Sequence, residues 1–359
     1  MLDLKQLLLQ SSSYAFSDMF FNPGSPPVMN INGEMRNVSS EPLTAEITAG
    51  LAKQILNESQ FAEFQQEGDY NIAFGVKNVG RFRVNVYNQR GSIAIVLRKI
   101  VTHIPTAKEL RLPELINNLA LEKMGLIIVT GATGTGKSTT MASMVEHRNK
   151  EMRGHIVTVE DPIEFLYVHK KSLISQREVG VDTPSYAQAL KNVLRQSPNV
   201  VVVGEIRDAQ VMKDALYAAE TGHLVLSSLH STNTVQAIER ILSFFPSESH
   251  KQIFIQLAYS LKAILSQRLL PEKNSSSLVP AMEIMLNSPR IQDLLLSQNI
   301  IDMKQVLADG TQEGMCTFDQ AIYKLYQQKL IDDQAALLFA DSPNNMRLKL
   351  KNIQSITNL

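Results

Sequence analysis

An α/β fold in two domains is what three features of the 359-residue chain predict. Leu126 to Thr130, His155 to Val159, Val200 to Val203 and Leu224 to Ser228 are short apolar runs separated by helical segments. Continuous rather than alternating apolarity suits strands buried on both faces of a mainly parallel sheet. The first run passes directly into Gly131-Ala132-Thr133-Gly134-Thr135-Gly136-Lys137-Ser138, which fits the phosphate-binding pattern G-x-x-x-x-G-K-[ST] in its required strand-to-helix context. Ahead of about residue 100 the signals change to short helices and alternating strands, the pattern of a small α+β domain.

Taken in order, Leu2 to Ser12 is an amphipathic opening and Val28 to Met35 a strand with a tight turn. Arg81 to Tyr87 alternates polar and apolar residues, and Ser92 to Ile100 reads as a second strand of the same kind. Val101 to Thr106 carries a proline outside either pattern, so residues 101–111 are expected to be a linker that permits rigid-body rotation of the 1–100 domain. An α/β core is expected over 112–288. Within it, Thr139 to Lys150 continues the phosphate loop as a helix whose positive N-terminal end faces phosphate charge. Ser275 to Ser277 reads as a surface loop. The segments Ile291 to Leu296, Thr317 to Tyr326 and Asp333 to Phe339 read as helices of a C-terminal region, 289–359.

Composition narrows the function. Thirty-five basic residues balance 35 acidic ones, and no basic, aromatic-rich strip is present, so a nucleic-acid partner is not expected. The opening Met1 to Gln6 lacks a signal-peptide pattern, and no stretch approaches the ~20 apolar residues of a membrane span. A cytoplasmic protein, soluble or peripheral, is therefore expected. Cys316 is the one cysteine, which excludes an internal disulfide or a site of several thiolates; it reads as a small apolar side chain.

Chemistry gathers at the phosphate loop. Its glycines let backbone N–H groups converge on phosphates, Lys137 reaches the outer phosphates, and the Ser138 hydroxyl is positioned to ligate Mg2+. Ala132, Thr133, Thr135 and Thr139 complete the expected nucleotide contacts. Such a loop needs a carboxylate at a second strand end. The run Val200 to Val203 ends in Gly204-Glu205, where many related ATPases place an aspartate directly, so Glu205 is the candidate for polarising the attacking water; the alternative is a solvated turn carboxylate. A second acidic cluster, Glu160-Asp161-Pro162-Ile163-Glu164, follows the strand His155 to Val159, at the edge where ligands collect in parallel sheets. Glu160 and Glu164 could approach the metal or its waters; the alternative is an exposed turn around Pro162. His223 and His230 flank the strand Leu224 to Ser228 at opposite ends. His230 could report the γ-phosphate state, and His223 could hydrogen-bond between subunits or layers; the alternative for each is a structural histidine. Zinc is not expected, because no Cys or His partner stands at zinc-site spacing from either.

Four segments together resemble a known family: the phosphate loop, the acidic box Thr158 to Phe165, the stretch Leu194 to Asp208 and the histidine box Thr221 to His230. They resemble the ATPases of type II secretion and type IV pili. Ser17-Asp18, Gly24-Ser25-Pro26-Pro27 and Ile31-Asn32-Gly33-Glu34 are similar to the N-terminal domain of the retraction (PilT/PilU-like) branch. The resemblance implies a PAS-like N-terminal domain, a RecA-like ATPase core and a homohexameric ring. It implies ATP with Mg2+, and work at the cytoplasmic side of the inner membrane on the pilus platform protein. It also implies that Arg81, Arg83 and Arg98 approach the nucleotide, across a subunit boundary. Assembly and secretion members usually carry an extra N-terminal domain and a four-cysteine zinc loop; neither is present, which favours retraction, with twitching motility and DNA uptake as the processes served. Within that branch, Cys316 to Tyr323 and Ala340 to Leu348 look like the accessory member that works beside a sister retraction ATPase. The segment Pro289 to Leu296 departs from the helix of the motor proper.

Overall fold

The computed structural model describes residues 2–14, 16–31, 33–77, 79–100 and 103–357, of which 352–357 by backbone alone. Two compact units divide the chain: Met1–Thr102 with Glu164–Leu166, and His103–Ile163 with Tyr167–Leu359. No helix among the described residues is long and apolar enough to cross a membrane.

In the first unit six antiparallel strands form one sheet. They are β1 (Asp18–Phe21), β2 (Val28–Ile31), β3 (Glu34–Asn37), β4 (Asp69–Val76), β5 (Gly80–Gln89) and β6 (Ser92–Lys99), in the order β3-β2-β1-β6-β5-β4. Alternation decides the faces: Phe82, Val84 and Val86 are buried while Arg81, Arg83 and Asn85 between them are half-exposed. The helix Ala45–Ile55 starts where the Thr44 hydroxyl accepts from the Ile47 N–H, and its Thr48, Leu51, Ala52 and Ile55 make one buried face. Leu51, Ala52 and Phe64 close the core over Phe82, Val84, Ile95 and Leu97. The expected strands over Arg81 to Tyr87 and Ser92 to Ile100 are present; Asn32, inside the expected Val28 to Met35 element, lies outside the described residues.

The second unit holds a seven-stranded sheet of β7 (Gly125–Thr130), β8 (Gly154–Glu160), β9 (Ser172–Glu178), β10 (Val200–Val203), β11 (Leu224–Leu229), β12 (Leu261–Pro271) and β13 (Leu278–Leu286). Its order is β13-β12-β7-β11-β10-β8-β9, parallel throughout except for the edge strand β13. Every residue of β7, β10 and β11 is buried, which is why their sequences do not alternate. One face packs against the helices Ala209–Glu220, Thr234–Ser243 and His250–Ser260, the other against Leu115–Ala120 and Lys137–Glu151. Ala107 and Leu112 are buried in that second core, so the segment expected to begin as linker contributes to the second unit from His103 onward. Val101 and Thr102 lie outside the described residues. The C-terminal helices Phe318–Gln327, Asp333–Phe339 and Pro343–Thr357 pack on Leu270, Val279 and Ala281 of the β12–β13 hairpin.

Parallel register places the site. Leu229 stands beside Thr130, and Val203 beside both Val159 and Ser227. The C-terminal ends of β7, β11, β10 and β8 therefore share one edge in that order, with strands about 4.8 Å apart.

Candidate active site

At that edge β7 runs into the phosphate loop. Gly131 has φ 149°, and a Cβ there would stand 2.6 Å from both the Gln267 carbonyl and Thr135 Oγ1. Gly136 has φ 84° and would meet Gln267 Nε2 at 3.1 Å. Both positions demand glycine by backbone angle and by space. Gln267, buried on β12, also accepts from Thr140 Oγ1 at 2.7 Å, so it pins the first turn of the helix to the sheet. No side chain caps this helix at Gly136, which leaves its first N–H groups directed at whatever anion the loop cradles. Lys137 is buried, and its Nζ donates to the Gly131 and Ala132 carbonyls at 3.0 and 2.8 Å. Ser138 and Thr139 are half-exposed beside it, and Ala132 and Thr133 are exposed at the loop tip.

Two strand spacings away, about 10 Å, β10 delivers Glu205. Its side chain is 17% exposed, with Oε2 3.3 Å from His230 Nε2 and Oε1 bonded by the Arg207 guanidinium. Arg207 also lies 3.6 Å from Asp161, and its hydrogen bond to Glu205 raises its pKa above the ordinary value. Glu160 ends β8, and its Oε1 accepts from Thr158 Oγ1 at 2.6 Å and Gln176 Nε2 at 3.3 Å. Between loop and carboxylates, Thr130 Oγ1 and Ser231 Oγ are 2.6 Å apart, and the Ser231 N–H donates to Thr130 Oγ1 at 3.0 Å. This ties the residue before Gly131 to the residue after His230. An open cleft lined by Arg111, Thr139, Thr140, Gln267, Leu278 and Pro280 adjoins the loop, and the Arg111–Glu272 ion pair, 2.6 Å, stands on its wall.

The edge thus assembles Lys137, Ser138, Glu160, Glu205 and His230. It does not assemble His223, which sits at the opposite end of β11, on the order of 20 Å away along the strand, with Nδ1 3.0 Å from the Ala218 carbonyl. Glu164 is exposed and belongs to the short segment grouped with the first unit. Arg81, Arg83 and Arg98 share one face of the first unit's sheet, Arg83 opposite Arg98 in the β5–β6 ladder and Arg98 Nε donating to Asp18 at 2.7 Å. Arg207, Gln267, Thr130 and Ser231 also stand at this edge, and the sequence reading did not single them out. Arg207, two residues from Glu205, and Ser231, next to His230, had a signal; Thr130 and Gln267 come from strands whose pairing no local pattern encodes.

The Ser138 hydroxyl and the Glu160 carboxylate are hard oxygen donors of the kind Mg2+ takes, since that ion uses one or two protein oxygens and completes its shell with phosphate and water. No cluster of three or more His, Cys, Asp or Glu able to hold a metal occurs among the described residues, so a closed protein cage is not what this edge offers.

Comparison with known proteins decides the lineage. The pattern of the type II/IV secretion system protein family matches residues 26–336. The chain belongs to that family. Among its relatives, the type IV pilus ATPase PilU of Pseudomonas aeruginosa is 43% identical over 350 residues, covering 98% of this chain and 92% of that protein. The type IV pilus retraction ATPase PilT of the same organism is 36% identical, covering 96% and 100%. A crystal structure of the pilus retraction motor PilT with bound ADP matches at TM-score 0.87 and 40% identity, covering 96% of this chain and 99% of that one. The α/β class, the family and the ATPase assignment expected of this secretion ATPase from its sequence are thereby borne out.

Proposed function

We propose that this chain is a subunit of a ring-shaped ATPase motor that powers or assists type IV pilus retraction. The observation that carries the chemistry is the shared edge, with the phosphate loop on β7 facing Glu205 on β10 across the single strand β11. ATP binds with its phosphates on the loop N–H groups and Lys137, and the adjoining cleft takes the rest of the nucleotide. Ser138 and Glu160 would hold Mg2+, which when bound neutralises phosphate charge. Glu205 polarises the attacking water, a role worth typically 10²–10⁴-fold, and fixed donors around the phosphates provide electrostatic stabilisation. His230, 3.3 Å from Glu205, is placed to respond when the γ-phosphate leaves. His223 takes no part in the chemistry of its own subunit on this reading.

The same reading includes a homohexamer in which Arg81, Arg83 and Arg98 add charge stabilisation at a nucleotide, a sister retraction ATPase, and an inner-membrane platform protein contacted from the cytoplasmic side. Twitching motility, and DNA uptake where present, are the processes served. Likeness to PilU, 43% identical against 36% for PilT, supports a second reading: an accessory ring whose own hydrolysis is dispensable beside a sister motor. A chromosomal Glu205→Gln strain separates the two. Under the motor reading retraction, scored by twitching zones, falls to the deletion level; under the accessory reading it persists while the sister motor is present. Persistence in a strain that also lacks the sister motor contradicts both.

A further inference from the structure

Tyr186 opens the helix Tyr186–Val193, whose N-cap is Ser185, and packs half-buried against the second unit's core. Its hydroxyl reaches the end of β10. A Cβ built on Gly204 would stand 2.7 Å from that oxygen, and 3.4 Å from both Glu160 Cα and the Val159 carbonyl. The phenol therefore occupies the space a side chain at 204 would need, between the ends of β8 and β10 and beside Glu205. Among the described residues the hydroxyl has no hydrogen-bond partner, although the charges around it belong to Asp161, Glu205, Arg207 and Glu160.

Three carboxylates share this corner with one guanidinium, and Arg207 is 59% exposed at its side chain. An exposed arginine is a poor device for fixing a carboxylate, because its ordering costs side-chain entropy and its field is screened. A half-buried phenol packed against the strand end is a better one: it is rigid and neutral. An aspartate at 204 would instead add a fourth negative charge to the group.

We propose that Tyr186 is a positioning residue for ATP hydrolysis: its hydroxyl, wedged against Gly204 between the ends of β8 and β10, holds the strand end that carries Glu205 and so fixes the orientation of that carboxylate, with Gly204 kept bare to admit it. The inference rests on Glu205 being the residue that polarises water.

The test compares steady-state hydrolysis and fluorescent-ADP affinity of the full-length protein with those of Tyr186→Phe, Gly204→Ala, the double variant and Glu205→Gln. Tyr186→Phe should lower kcat about 10- to 100-fold, the range of a misplaced reacting group, with ADP affinity within about two-fold of wild type. Gly204→Ala should lower kcat by displacing the hydroxyl, and the double variant should match Tyr186→Phe alone, because the new methyl then has nothing left to displace. Wild-type kcat in Tyr186→Phe, or losses that multiply in the double variant, overturns the proposal. If Glu205→Gln is inactive while Tyr186→Phe is not, Tyr186 alone loses its role; if Glu205→Gln turns over normally, the reading beneath it fails as well.

Discussion

At Gly131 the backbone angle and two atoms 2.6 Å from a would-be Cβ impose glycine, whereas at Gly204 the φ is not left-handed and the Tyr186 hydroxyl, 2.7 Å from a would-be Cβ, is the close neighbour. The first requirement was legible in the motif, because phosphate loops share a backbone path. The second was not, since residues 186 and 204 meet only when the helix Tyr186–Val193 packs against β8 and the helix Ala209–Glu220. Cys316 shows how a bland reading gains physical content. Half-buried, it donates to the Met282 carbonyl at 3.2 Å, and burial pushes its thiol from 9.0 up to about 11. The unfolded chain releases this proton at lower pH than the folded one. The thiol's contribution to stability is thus complete below pH 9 and is lost as pH rises toward 11, at up to ~1.4 kcal/mol per pH unit. Urea midpoints at about pH 8 and 10.5 should fall further for wild type than for Cys316→Ala; parallel falls would show that the thiol is not shielded in this way.

Among the elements, the strands β7, β8, β10 and β11 were readable because burial on both faces leaves continuous apolar runs. The hairpin β12–β13 was not. Leu261 to Leu270 is rich in Leu, Ala, Lys, Gln and Arg, all good helix formers, and it follows the helix His250–Ser260 without a break; pairing with β7 overrides that propensity. The hairpin carries a buried carboxylate with a structural task. Glu283 Oε1 accepts from the Thr234 N–H and hydroxyl, both 2.8 Å, and Oε2 from the Phe318 N–H at 3.4 Å. One side chain thereby satisfies the first turns of two helices, where a negative charge is favoured. Glu283→Ala would leave those donors buried without an acceptor, costing roughly 2–4 kcal/mol. Glu283→Gln should cost about half as much, since an amide accepts at one end only. Equilibrium urea unfolding checks both, and an alanine variant within about 0.5 kcal/mol of wild type would remove this role for Glu283.

For the molecule as a whole, two units of different construction matched two different sequence textures, alternating strands before residue 100 and apolar runs after it. Chain-scale function was legible through the phosphate loop and the boxes around Glu160, Glu205 and His230, because nucleotide chemistry demands fixed residue types at the ends of neighbouring strands. The separation of His223 from the loop was legible too, because it and His230 flank one strand; the place of Glu164 was not, since sequence spacing does not say which unit a short segment joins. The relatives match over nearly their full length. The central claim is that Glu205, opposite the phosphate loop, drives hydrolysis. Steady-state ATP turnover by wild type, Glu205→Gln and Lys137→Ala, each with a parallel nucleotide-binding measurement, tests it most directly. The account predicts turnover in wild type, ATP binding with turnover reduced about 100-fold or more in Glu205→Gln, and lost binding in Lys137→Ala. A Glu205→Gln protein that hydrolyses ATP at the wild-type rate would contradict it.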